Sequence, residues 1–530
     1  MLIILISSSS SITGNKRIYS SSLEELAENI VYSSLMHEIN ITRIKEHILY
    51  LSSLDTRCMG SKGYEQAAMY IYDCFKSFGL SNVSYHFYKT ATEICYGAYL
   101  QVNFPVYLNI TLHPLKSNLV VPSTTPLKGI SGRLVYVGKG SWQELNGKPI
   151  SNSIVLMDFN SENNWLNVAM LGAKAVIFIE PKDTSTKEAE LKYVDIPLYF
   201  PRFYITSDDA NKLLSLLKEG IEVTCDIKSK VVWKEITAKN VIGIVKGSEY
   251  PDKYILISSY FDSSSVVLTL GSCAEETTGV AVLLEYARYF SKHKPLYSIL
   301  FVAFSGHSNG LAGSRWFTED YLWGEKSYIG RNIIAQFNLD LNSKSRYIQL
   351  VDRGGMYDRG IQEEGELTFE RLVKLERIIQ KKTGLKCFYL VPPVTPSSVD
   401  RNAWREIPRD NEPLLLARAP AYSFTSVLWS RKYYMTPLDT PDRINLKNLE
   451  AIAKAIFCFI YTIANIKNVE EVVFWKWSPD RFSKYLSNQK IVGTVVEWNS
   501  SIGWYQPVPR ALICTSYSAV SYTHLTLPTN

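Results

Sequence analysis

Asp262, Glu275, His307 and Asp340 are the residues of this 530-residue chain whose types and spacing could do chemistry. Each lies at or just beyond the end of a short apolar run, or in a loop beside one. Carboxylates and an imidazole brought to one place suit general acid–base work or the coordination of a divalent cation. Cys273 adds a thiol on an adjacent loop, so Cys273, Glu275, His307 and Asp340 form a candidate four-donor site for a single metal, with His307 otherwise able to act as base. A small buried cysteine and a hydrogen-bonded histidine are the plainer reading of the same two residues.

The elements that must position these side chains are legible around them. Residues 254–260 ("YILISSY") and 299–304 ("ILFVAF") are continuous apolar runs, the pattern of parallel strands buried on both faces. A helix over 276–290 lies between them and makes one crossover unit of an α/β sheet. "RNIIAQFNLDL" supplies a further buried strand ending at Asp340, and ligands in such sheets collect at the carboxyl ends of strands. Downstream, "ELTFERLVKLERIIQKKTG" predicts an amphipathic helix with a Gly stop, "KCFYLVPPV" a strand and "SSVDRNAWREIPRDNEP" a polar loop over the site. "AYSFTSVLW" reads as the last strand and "NLKNLEAIAKAIFCFIYTIANI" as a closing helix, where Lys454 and the short uncharged run favour packing on the sheet over crossing a bilayer.

In order and spacing these residues resemble the zinc exopeptidases of clan MH, peptidase family M-28, a group of secreted aminopeptidases, glutamate carboxypeptidase and the non-peptidase relatives transferrin receptor and nicastrin. Where that family reads His-x-Asp after one strand, this chain has Tyr260-Phe261-Asp262; where it reads Asp-Asn-x-Ser-Gly at a helix entry, Glu275-Glu276-Thr277-Thr278-Gly279. His307-Ser308-Asn309-Gly310-Leu311-Ala312-Gly313-Ser314 matches the segment Glu-Glu-x-Gly-Leu-x-Gly-Ser, Asp340 the third-strand Asp, and Met435 the His before Thr-Pro-x-Asp. Ser398-Val399-Asp400-Arg401 falls where Ser-Asp-His is common, and Arg57 with Gly60-Ser61 matches the family's opening segment in a structural role.

The resemblance implies a three-layer α/β/α, mostly parallel sheet. It implies His307 at the general-base position, Glu275 and Asp340 at surviving metal positions, Tyr260, Ser308 and Met435 at lost ones, and Asp262 supporting them. A hydrolytic zinc pair needs imidazole and carboxylate ligands with an open position for water. A tyrosine phenol is protonated at neutral pH, a thioether suits copper(I) better than zinc, and a serine cannot balance the metal's charge. Zinc is the family's cofactor, and with this donor set none, or only weakly held zinc, is expected here.

Residues 94–230 break the pattern with short apolar strands ("GRLVYVG", "SIVLMDF", "AKAVIFIE") around small helices. Gly147-Lys148 and Gly172-Ala173-Lys174-Ala175-Val176 resemble the protease-associated domain inserted in this family, implying a cap or partner-binding role without catalytic residues. The expected organisation is therefore a secretion-signal remnant over 1–21, an α/β domain from 22–93 and 231–467 with 94–230 inserted, an incomplete C-terminal region at 468–518 and an artefactual tail at 519–530. The balance of 57 basic to 51 acidic residues, net +6, with no long basic run, argues against nucleic acid, and eight scattered cysteines give no zinc ribbon. Four sequons, at Asn40, Asn82, Asn109 and Asn499, suit an exported glycoprotein. The first expectation is a non-catalytic relative that uses the old cleft or the cap to bind a peptide, a glycan or another protein. The second is a divergent metallo-aminopeptidase removing N-terminal residues. The third is a pseudo-peptidase subunit of a membrane complex, with an anchor beyond residue 530.

Overall fold

The computed structural model describes residues 27, 29–351, 363–389, 409–426, 431–473, 496–499 and 504–507. The signal remnant, the Ser398-Val399-Asp400-Arg401 motif and the tail lie outside them, as does most of 468–518 apart from the hairpin Val496–Asn499 with Trp504–Pro507.

In chain order the strands are β1 Ser81–Phe104, β2 Leu108–Thr111, β3 His113–Pro114, β4 Ile130–Tyr136, β5 Ile154–Asp158, β6 Ala175–Ile179, β7 Arg202–Ile205, β8 Thr224–Val245, β9 Tyr250–Tyr260, β10 Tyr297–Phe304, β11 Ile333–Asp340, β12 Ile348–Val351 and β13 Ala421–Ser426. They join as one sheet in the order β12-β13-β11-β9-β10-β8-β4-β5-β6-β7-β3, with β1 alongside β8 and β2 on β1. The centre, β13-β11-β9-β10, is parallel, flanked by antiparallel β12 and β8. This is the mixed, mostly parallel α/β sheet that the apolar runs imply. The chain leaves β9 to one side for β10 and crosses to the other side for β11, so the carboxyl ends of these three strands border a reversal of strand order, where such sheets open a crevice.

Every residue of β10 is buried, because alternate side chains serve two cores. Ile299, Phe301 and Ala303 face the helices Thr278–Lys292, Lys62–Phe78 and Leu446–Ala464, while Leu300, Val302 and Phe304 meet Phe317 and Tyr321 of helix Ala312–Leu322. The result is three layers. Helix Leu446–Ala464 is buried along most of its length, and no helix among the described residues is long and apolar enough to cross a membrane.

Helix Thr278–Lys292 enters against the sheet at Gly279. A Cβ there would stand 2.4 Å from the Leu339 carbonyl oxygen and 2.5 Å from Ser259 Oγ, themselves hydrogen-bonded at 2.9 Å, so there is no room for a side chain. Gly279→Ala is expected to cost about 2–3 kcal/mol, the usual penalty for overpacking, measured as a lower urea midpoint with an unchanged slope.

Strands β4 to β7 are parallel among themselves and carry apolar side chains on both faces, Val155, Met157 and Phe178 on one and Ile154, Leu156 and Ile177 on the other. The first face shares its core with Val266, Val267, Tyr434 and Met435 from the larger domain. β1 and β8 run unbroken through residues 93–94 and 230–231 as one antiparallel ribbon. The ribbon escapes notice in the sequence because residues 91–97 are mostly half-buried or exposed and show no clean alternation. The strand expected at "KCFYLVPPV" is reduced, over its described residues, to a single bridge from Phe388 to Ile348. The seven described cysteines are unpaired.

Candidate functional site

Three loops at the carboxyl ends of β9, β10 and β11 carry the expected residues, and buried polar side chains hold each loop. The Arg57 guanidinium donates to the carbonyls of Leu51, Phe261, Ser272 and Cys273 at 2.7–3.0 Å, fixing both ends of the 261–273 segment. Asn240 accepts from Ser305 N at 3.0 Å and donates to Gly313 O at 2.9 Å, closing the loop that presents His307. Ser61 caps helix Lys62–Phe78 by accepting from Tyr64 N.

His307 is buried, and its Nδ1 lies 2.8 Å from Asp410 Oδ2; Ser314 Oγ donates to the other Asp410 oxygen at 2.6 Å. Its ring stacks on Tyr260, centroids 3.9 Å apart and planes 11° off parallel. Burial works against the charged imidazole, but the charge and hydrogen bond of Asp410 outweigh it and raise the pKa above the ordinary value. His307 N donates to Asp262 at 3.4 Å. Burial lifts the Asp262 carboxyl to about 7, and it lifts Glu276, whose Oε2 accepts from Ser264 N, to about 7 as well. His307 Nε2, Tyr260 Oη and Glu276 Oε1 are buried with no hydrogen-bond partner among the described residues.

Glu275 accepts from both the backbone and the hydroxyl of Ser343, each at 2.6 Å, and its own N–H donates to Asp439 at 3.2 Å. Asp340 accepts from Arg431 at 2.6 Å and from Thr425 Oγ1 at 3.0 Å. Burial would raise the Asp340 pKa, yet the Arg431 charge holds it below the usual carboxylate range. A pocket of only ≈ 10 Å³ lies over Glu275 and Arg431, about the room for one water. A cleft of ≈ 690 Å³ opens elsewhere, on the 94–230 subdomain beside Lys432.

This donor set does not fit a zinc pair. Ser308 is exposed with its hydroxyl on Tyr434, and Met435 is buried in the apolar cluster shared with the inserted subdomain, its carbonyl accepting from Val266 N at 2.8 Å. No group of three or more His, Cys, Asp or Glu side chains placed to hold a metal ion occurs among the described residues. Cys273, Glu275, His307 and Asp340, the expected four-donor set, form no such group among the described residues. Cys273 sits at φ +45° with its thiol against the Ser264 carbonyl at 3.7 Å, and burial raises its pKa well above the ordinary value, which disfavours the thiolate a metal needs.

Asp410, Glu276 and Arg431 belong to this cluster and were not singled out by the sequence. Asp410 falls in the polar stretch "SSVDRNAWREIPRDNEP", whose sequence carries no periodicity. Arg431 had a signal, since a surviving buried carboxylate without a metal calls for a cation, and "SRKYYM" offers one beside Met435.

The cluster thus sits at the carboxyl ends of the central strands of a mixed, mostly parallel α/β sheet. Residues 240–460 match the model of peptidase family M28, which bears out the resemblance carried by the motifs. Over 116 residues, 21% of this chain and 24% of the relative, the chain is 34% identical to a probable zinc metalloprotease of Pyrenophora teres f. teres. Over 129 residues, 23% of this chain and 16% of the relative, it is 29% identical to aminopeptidase NAALADL1 of Mus musculus. The matches span about a quarter or less of these relatives' length. Among solved structures, a zinc aminopeptidase of Bacillus subtilis superposes with TM-score 0.53 at 17% identity, covering 83% of this chain and 98% of that one. A peptidase M28 precursor of Shewanella amazonensis gives 0.50 at 19%, covering 87% and 99%. These two establish a shared fold.

Proposed function

We propose that this chain is a non-hydrolytic M28-type protein that uses the peptidase frame to bind a peptide or protein. The observation that carries the reading is the state of the two positions where imidazoles belong: Tyr260 presents a phenol stacked on His307, and Met435 turns its thioether into the core of the inserted subdomain. Burial pushes the Tyr260 pKa well above its ordinary value, so the phenolate that could serve a metal is disfavoured. His307 Nδ1 is engaged by Asp410, whose charge and hydrogen bond raise the imidazole pKa above its ordinary value.

The cleft on the inserted subdomain, within the size range of ligand pockets, is the binding surface in this reading. Its lining, which includes Asn160, Asp183, Thr184 and Lys432, offers hydrogen bonds and both signs of charge to a polar chain. Export is part of the proposal, supported by the exposed side chains of Asn40, Asn82 and Asn109 at three sequons. Purified protein incubated with zinc is expected to show no turnover of aminoacyl-anilide substrates above a heat-killed control. Zinc-dependent turnover abolished by Asp340→Ala would return the chain to the aminopeptidases.

A further inference from the structure

Six buried carboxyl groups, Asp262, Glu275, Glu276, Asp340, Asp410 and Asp439, crowd the ends of β9 to β11. Such a cluster needs positive charge within it, since an uncompensated buried carboxylate is strongly destabilising. Arg431 supplies that charge at Asp340. Its side chain is 6% exposed, one terminal nitrogen donates to Asp340 Oδ1 at 2.6 Å and to the Asp340 carbonyl at 3.2 Å, and its guanidinium lies 5.8 Å from the Tyr434 ring. The Arg431 charge also reaches Glu275, where it works against the effect of burial.

The segment bearing Arg431 is anchored from outside the domain. Thr186 of the inserted subdomain donates through its backbone N–H to the Lys432 carbonyl at 2.7 Å and through its hydroxyl to the Arg431 carbonyl. Asp183 accepts from Lys432 at 2.8 Å and from Tyr433 Oη at 2.9 Å. The guanidinium is thus delivered to Asp340 by a loop that the insertion holds in place, with its direction set before any ligand arrives.

We infer that Arg431 is the resident cation of this centre: it neutralises Asp340 from within the chain, in the role a divalent ion would otherwise fill. The inference rests on the non-hydrolytic reading and deepens it by naming what replaced the ion. A guanidinium is permanently charged and planar, so it satisfies a buried carboxylate at any pH the fold survives. It offers no open coordination position and activates no water.

The test is a double-mutant cycle on the full chain, Arg431→Met, Asp340→Asn and the two combined, read by thermal unfolding, with equilibrium dialysis against inorganic zinc as a second readout. Arg431→Met leaves Asp340 buried without its partner and is expected to lower the midpoint by several degrees. The combined variant, with both charges gone, is expected to recover at least half of that loss. Wild type is expected to retain substoichiometric zinc from a micromolar solution, with a midpoint that a chelator does not move. A combined variant as unstable as Arg431→Met, including one that fails to fold, overturns the assignment; so does stoichiometric zinc in wild type that Asp340→Asn removes. Failure of the cycle in a chain that still cleaves no anilide sinks only the Arg431 assignment, whereas zinc-dependent cleavage sinks the non-hydrolytic reading whatever the cycle shows.

Discussion

Arg57→Met is expected to unfold most of the protein under conditions where wild type is fully native. Four carbonyl oxygens, those of Leu51, Phe261, Ser272 and Cys273, depend on this one guanidinium, which is itself wholly buried. Its charge also faces Glu276 and Asp439 and offsets part of the cost of burying them. Leaving several acceptors orphaned at 1–3 kcal/mol each, together with the lost counter-charge, amounts to about 5 kcal/mol or more. That is comparable to the whole margin by which domains are stable. Circular dichroism in urea checks it, with Arg57→Lys as control: the lysine keeps the charge but has no planar fork to span four carbonyls, and is expected to fall between the two.

Stability is expected to fall as pH rises from about 4.5 to 7.5, and Glu276→Gln is expected to flatten that dependence. Glu276 has a folded pKa of about 7 against an ordinary 4.5, and Asp262 about 7 against 3.8, in both cases because burial penalises the charged form first. Between the unfolded and folded values the native state binds more protons than the unfolded chain. The stabilisation is therefore fully present below the unfolded pKa and lost as pH passes through the folded one. A raised His307 acts in the same direction, while the lowered Asp340 acts oppositely and only at more acidic pH. At 1.36 kcal/mol per pKa unit the Glu276 contribution alone is about 3 kcal/mol. Thermal midpoints of wild type and Glu276→Gln across this range check it; parallel curves would show that Glu276 does not ionise on unfolding as described.

Both predictions depend on residues of unequal visibility. The strands through Tyr260, Phe304 and Asp340 were legible because buried parallel strands must be apolar on both faces, and a run such as "ILFVAF" has few other uses. Helix Thr278–Lys292 was legible because two parallel strands need a crossover between them. The β1–β8 ribbon was not, since a half-exposed ribbon needs no strict alternation to be stable. Asp262, Glu275, His307 and Asp340 could be named in advance because they sit next to strand ends, where the sheet itself fixes their neighbourhood.

What the amino-acid order determined alone was the frame and the donor types it carries: a phenol at 260, a serine at 308 and a thioether at 435 are poor zinc donors in any conformation. Tertiary structure decided what each survivor does instead. Asp340 meets Arg431, 91 residues away, His307 meets Asp410, 103 residues away, and Glu275 meets Ser343, 68 residues away. A side chain's type limits the bonds it can make, but only the packing of distant loops chooses among partners of equal chemistry. Here that choice gave the surviving carboxylates to a guanidinium and a serine, and turned Met435 into an apolar core built by the inserted strands.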